Sequence, residues 1–288
     1  WRGGARAGLK MSEALLFGCD FSCAPTARKP VVVASGSIGG DAGELVLAGL
    51  QRFTSLDAWA AWLRGEPAWI GGFDFPFGLP RELVEHLGWP TEWNALMSHY
   101  AGLGRAEIRA TFAAFCAARP AGGKFAHRAT DGPAGSSTSM KWVNPPVAFM
   151  LHAGVPPLLE AGASLPGLHA GSNGRRVALE AYPGLLAREL IGRRSYKSDE
   201  SAKQTPERLA ARTDLLAALE AGTTRLGLRL ALSGAQRAEL LGDARGDHID
   251  AVLCLVQAAW GAQRASTPGP GYGLPEQFDP LEGWIVTA

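Results

Sequence analysis

Two short apolar runs in this chain each stop at an aspartate. Ala14-Leu15-Leu16-Phe17-Gly18-Cys19 ends at Asp20, and Ala68-Trp69-Ile70-Gly71-Gly72-Phe73 ends at Asp74. Runs of this length without alternation read as strands buried on both faces, the pattern of a central α/β sheet. A third run, Arg176-Val177-Ala178-Leu179, stops at Glu180, and Asp247 and Asp250 open the apolar stretch from Ile249 to Trp260. Open α/β sheets gather their functional groups in the crevice at the carboxyl ends of the strands. Carboxylates gathered there repel one another unless a cation or a shared proton compensates. A divalent-metal site is therefore the leading expectation.

The segments between these runs fix the order of elements. Pro30-Val31-Val32-Val33-Ala34-Ser35 is β-branched, Gly39-Gly40-Asp41 reads as a tight turn, and Glu44 to Leu50 returns as a third strand. Thr54-Ser55 caps the helical spacing of Leu56 to Leu63. From about 80 to 172, helical runs alternate with Pro/Gly/Ser-rich pieces, as in an insertion carrying five of the six histidines. After the strand at Arg176 to Ala181, helices are expected at Leu185–Ile191, Thr205–Ala221, Ser233–Leu241 and Asp247–Gly261. Glu282 to Ala288 reads as a short closing strand. The implied fold is a ribonuclease H-like α/β domain. Its mixed sheet has three antiparallel strands followed by parallel ones, helices on both faces, and a helical insertion between strands four and five. One such domain spans 11–288, with residues 1–10 read as an upstream extension or tag remnant before Met11.

Bulk properties narrow the function classes. With 288 residues, 47% of them hydrophobic, the chain can fill a sizeable core, and no apolar stretch reaches membrane-span length. A net charge of +1 gives no bulk attraction to polyanions, so contact with nucleic acid must use a local patch. Cys19, Cys23, Cys116 and Cys254 do not make a disulfide framework, which points to reduced thiols and a cytoplasmic setting. Oligomeric state is not legible.

The segments around the acids resemble a known family. Phe17-Gly18-Cys19-Asp20-Phe21-Ser22, Phe73-Asp74-Phe75-Pro76-Phe77-Gly78-Leu79-Pro80, Glu180-Ala181-Tyr182-Pro183, Gly246-Asp247-His248-Ile249-Asp250-Ala251 and Glu282-Gly283-Trp284-Ile285 are similar, in order, to signature segments of domain-of-unknown-function family 429. His127-Arg128-Ala129-Thr130-Asp131 resembles an Arg-x-Thr-Asp stretch of that family's insertion. The resemblance implies a nuclease with the ribonuclease H-like fold.

The expected activity is metal-dependent hydrolysis of a nucleic-acid phosphodiester, DNA or RNA. Asp20, Asp74, Glu180, Asp247 and Asp250 are the candidate catalytic residues and ligands of Mg²⁺ or Mn²⁺, hard ions that prefer carboxylate oxygens. Asp247 and Asp250 are spaced i, i+3 and leave one helix face. Arg188 to Arg212 holds seven basic and four acidic residues, with Arg194 and Lys197 as the best candidates for phosphate contact. Arg128 and Lys141 of the insertion are further substrate-binding candidates. Each acid has a bland alternative, such as a helix N-cap at Asp247. The rival functions are a phosphotransferase of the sugar-kinase and actin type, which needs a second repeated domain, and a non-catalytic nucleic-acid-binding module.

Overall fold

The computed structural model describes residues 14–39 and 43–288. The residues read as an upstream extension, and Gly40 and Asp41 of the expected turn, lie outside that set. Six strands form one mixed sheet in the order β5-β4-β1-β2-β3-β6. β1 (Leu15–Asp20), β2 (Val31–Gly39) and β3 (Glu44–Phe53) pair antiparallel, while β4 (Trp69–Phe73) joins β1 and β5 (Arg176–Glu180) joins β4 in parallel. This is the expected α/β arrangement, antiparallel first and then parallel.

Two differences stand out. β6 (Leu230–Ala231) adds a parallel pair to β3, and at two residues it carries no sequence pattern to read. The closing strand expected at Glu282–Ala288 is not a strand but a series of turns, in which Gly283 and Thr287 take φ of +73° and +75°. A strand requires negative φ, so the segment meets β5 only locally, where the Val286 amide donates to the Glu180 carbonyl at 2.8 Å.

Strand alternation divides the core between two faces. On one face, Phe17 and Cys19 of β1 and Phe73 of β4 pack against α1 (Leu56–Gly65) and the insertion. The Ser55 side chain caps α1 by accepting from the Ala58 amide at 3.2 Å. The insertion consists of α2 (Arg81–His86), α3 (Trp93–Gly102), α4 (Arg105–Ala117), α5 (Asp131–Ala134) and α6 (Val147–Glu160). Its aromatics Tyr100 and Phe112 share one apolar cluster with the sheet, so it is built into the core. Of its tryptophans, Trp93 is buried and donates to the Phe77 carbonyl at 2.8 Å, and Trp89 and Trp142 pack on Phe112 and Phe125.

On the other face, Leu16, Val32, Ile70 and Val177 meet α7 (Pro183–Ile191), α8 (Pro206–Ala221), α9 (Gly234–Gly242) and α10 (Asp247–Ala262). α10 lies directly on the strands because two glycines admit it. A Cβ on Gly18 would sit 2.0 Å from the Leu255 nitrogen and 2.2 Å from the Ala251 oxygen, and one on Gly72 would sit 2.5 Å from the Cys254 oxygen. This close approach brings the start of α10 to the acid-bearing ends of β1 and β4.

All four cysteines are free thiols, three of them buried. Among the described residues, no helix is long and apolar enough to cross a membrane.

Candidate active site

Register decides which acids meet. Cys19 of β1 pairs with Phe73 of β4, so the next residues, Asp20 and Asp74, are neighbours, and the Asp74 amide continues the ladder by donating to the Cys19 carbonyl at 3.0 Å. Both follow a glycine by two residues, Gly18 and Gly72, and those glycines face α10. Period-two alternation therefore aims Asp20 and Asp74 at α10 as well. Asp247 and Asp250 stand in the first turn of that helix, after Gly246 in a left-handed conformation (φ +79°). Asp20, Asp74, Asp247 and Asp250 line one cavity of about 590 Å³, together with Lys29, Lys197 and Arg245.

Crowding shows in the proton affinities. Burial, then the charges of Asp250 and Asp247, raise the Asp20 carboxyl well above its ordinary value. Burial and Asp250 push Asp74 up to about 7. Burial also raises Asp247, with Lys29 partly offsetting it. Asp250 has both oxygens engaged: the Tyr196 hydroxyl donates to one and the Lys197 ammonium to the other. Burial alone would lower the Lys197 pKa, but the Asp250 charge outweighs it and drives it up.

Glu180 is placed differently. Its cross-strand partner is Phe73, not Asp74, so it points to the insertion face, and Ala181 stands beside Asp74 instead. There Arg128 reaches both of its oxygens, Nη1 at 2.9 Å and Nη2 at 2.7 Å, and the Phe77 amide adds a third bond at 2.9 Å. Arg128 also grips Asp131 through Nε and Nη2 and donates from Nη1 to the Glu282 carbonyl. Burial raises the Glu180 pKa, and Arg128 offsets only part of the rise. Glu180 and Arg128 line the smaller cavity on Asp74's other side, as a buried ion pair.

The remaining basic candidates separate. Arg194 is half-exposed, pairs with Asp214 at 2.6 Å, and lines a third recess with Asp74, Tyr182 and Lys197. Lys141 lines none of these cavities; its backbone amide donates to the Thr138 carbonyl at 3.2 Å and its carbonyl accepts from the Ala148 amide at 2.8 Å. Lys29 was missed by the sequence reading. It lines the acidic cavity and pairs with Asp199 at 3.1 Å, and its position just ahead of the Val31–Val33 run was the available signal. Tyr196, also missed, lies beside Lys197 in the basic segment and bears directly on Asp250.

The donor chemistry is of the kind a hard divalent cation takes, since carboxyls that burial and mutual repulsion keep protonated would release those protons to one. Among the described residues, no three acidic, histidine or cysteine side chains are grouped closely enough to enclose an ion as they stand. An ion entering the cavity would have to draw the aspartates together.

A family described as "Protein of unknown function (DUF429)" matches residues 18–273. The chain belongs to that family. The match takes in all four aspartates of the cavity, Lys197 and Glu180, and it supplies no activity. No curated protein and no solved structure matches the DUF429 chain.

Proposed function

We propose that this DUF429 protein is a metal-dependent nuclease that hydrolyses phosphodiester bonds of nucleic acid in the cavity between the β1 and β4 ends and α10. The observation that carries the reading is the shared face. Asp20 and Asp74 are register neighbours, and alternation turns both toward the acids of α10. Four carboxylates from the ends of two strands and the start of a helix suit a hard ion and a phosphate better than a neutral substrate.

Asp20, Asp74 and Asp247 would hold Mg²⁺ or Mn²⁺. When bound, the ion supplies charge neutralisation at phosphoryl oxygens and lowers the pKa of an attacking water. Lys197, fixed by Asp250, would present a positive charge to the phosphate in the same cavity. Arg194, in an adjoining recess, and Lys29, in the cavity itself, can contact flanking phosphates.

The test is cleavage of labelled single-stranded, duplex and branched DNA and of RNA in Mn²⁺, with wild type and Asp20→Asn compared. Cleavage that EDTA abolishes and that Asp20→Asn lowers at least about 100-fold supports the reading. Equal cleavage by the variant, or no cleavage together with no Mn²⁺ binding, sinks it.

A further inference from the structure

The cavity that holds Arg128 and Glu180 is built differently from the acidic one beside it. It measures about 260 Å³, just under the roughly 300–1,000 Å³ of sites that take drug-sized ligands, so it suits a single ring system. Its walls are apolar, from Phe75, Pro76, Pro145, Val147, Met150 and Ile285. Its charges are already settled. Arg128 has five N–H donors, and all are used, on Asp131, Glu180 and the Glu282 carbonyl. Lys197, the other cation among the lining residues, meets Asp250 with its ammonium. A phosphate entering this cavity would have to break the buried Arg128–Glu180 pair, so the fitting occupant is uncharged.

Two hydroxyls supply the polar contacts such a ring needs. The Ser136 hydroxyl donates to Asp131 at 2.9 Å and keeps lone pairs with which to accept. Ser137, half-buried beside it, has no hydrogen-bond partner among the described residues. The loop that presents them is fixed at both ends. The Ser136 amide donates to the Asp131 carbonyl at 3.0 Å, and the Thr138 hydroxyl donates to the Ala126 carbonyl. Asp74, Pro145, Met150 and Lys197 line this cavity and the acidic one alike, so one ligand can reach into both. Ser137 and Val147 line the smaller cavity and not the acidic one.

We propose that the smaller cavity receives the base of one unpaired nucleotide whose phosphate lies in the acidic cavity. The inference rests on the nucleic-acid reading proposed above and names the form of the substrate. A planar base fits between apolar side chains while hydroxyls read its edge, and a base in a duplex must first leave its stack and its partner. Single strands, frayed ends and flaps meet that requirement without the cost. The chain therefore prefers unpaired nucleic acid.

The test is binding of labelled single-stranded DNA and RNA, and of the matching duplexes, to the full chain. Fluorescence anisotropy is read in EDTA and again in Ca²⁺. Wild type is expected to bind at least one single strand about tenfold or more tighter than its duplex. Ser137→Phe, which fills the cavity, is expected to lower that single-strand affinity about tenfold and to leave duplex affinity unchanged. If Ser137→Phe fails to fold, judged by circular dichroism, Val147→Phe takes its place with the same expected change. Equal affinity for single strand and duplex, or a single-strand preference that survives the filling variant, overturns the inference and leaves the nuclease reading intact. Binding of neither form, in EDTA or in Ca²⁺, removes the nucleic-acid reading and this inference with it.

Discussion

Glu180 and Asp74 are acids at the ends of adjacent strands, one register step apart, yet they live in opposite electrostatic settings. Glu180 faces the insertion and has a fixed cation, Arg128, on both oxygens. Asp74 sits among the acids that face α10, and burial, with the charge of Asp250, lifts its proton affinity to about 7. A carboxylate supplied with its counter-charge holds structure together, whereas one denied it remains available to a ligand. The two faces of one sheet end thus differ: one ties the insertion to the core, and the other leaves its acids open to the cavity.

The largest effect should come from breaking the paired side. Arg128→Ala leaves Glu180 and Asp131 buried without their partner, and loss of one member of a buried ion pair costs about 3–5 kcal/mol. Urea or thermal unfolding at neutral pH should show that loss, with a destabilisation below about 1 kcal/mol counting against the clamp. A smaller effect should come from Gly18→Ala, which pushes α10 off β1. Overpacking of this kind costs about 1–3 kcal/mol, and the Cβ meets backbone rather than yielding side chain. Stability and Mn²⁺ affinity should decline together, because the displaced helix carries Asp247. Unchanged ion affinity would show that the helix does not set the site.

The pH dependence of stability sharpens the unpaired side. Asp74 in the folded chain holds its proton to about 7 against an ordinary value of 3.8. Between these values the folded state binds more protons than the unfolded one, so stability falls as pH rises from about 4 to about 7 and levels off above. In EDTA, the melting temperature should therefore drop across that window. Asp74→Asn should flatten the drop, and Mn²⁺ should offset it in the wild type. A profile identical in the variant would assign the proton to another carboxyl.

Much of this was legible in the sequence. The strands ending at Asp20 and Asp74 announced themselves because apolar runs stop abruptly at a charge, and α10 did so because Asp247 and Asp250 precede a long apolar stretch. Glu180 looked equivalent to Asp74 by the same signal. What separates them is the pairing of Glu180 with Phe73, a one-residue offset fixed by tertiary register that no local pattern encodes. Lys197 was visible as a charge, but its reach to Asp250, 53 positions away, depends on the bare backbone at Gly246. The expected terminal strand failed because Gly283 and Thr287 adopt positive φ, which residue types alone do not declare for threonine.

The turns that replaced that strand have a further outcome at the rim of the sheet. β5 is an outermost strand, and such strands invite foreign chains to add on by backbone bonding. Here the Ser164 amide donates to the Arg176 carbonyl and its carbonyl accepts from the Ala178 amide, while the Val286 amide takes the Glu180 carbonyl. Three of the strand's outward-facing groups are thereby occupied. The molecule's own tail and insertion thus form a selvedge over part of that margin, leaving a foreign strand less backbone to join.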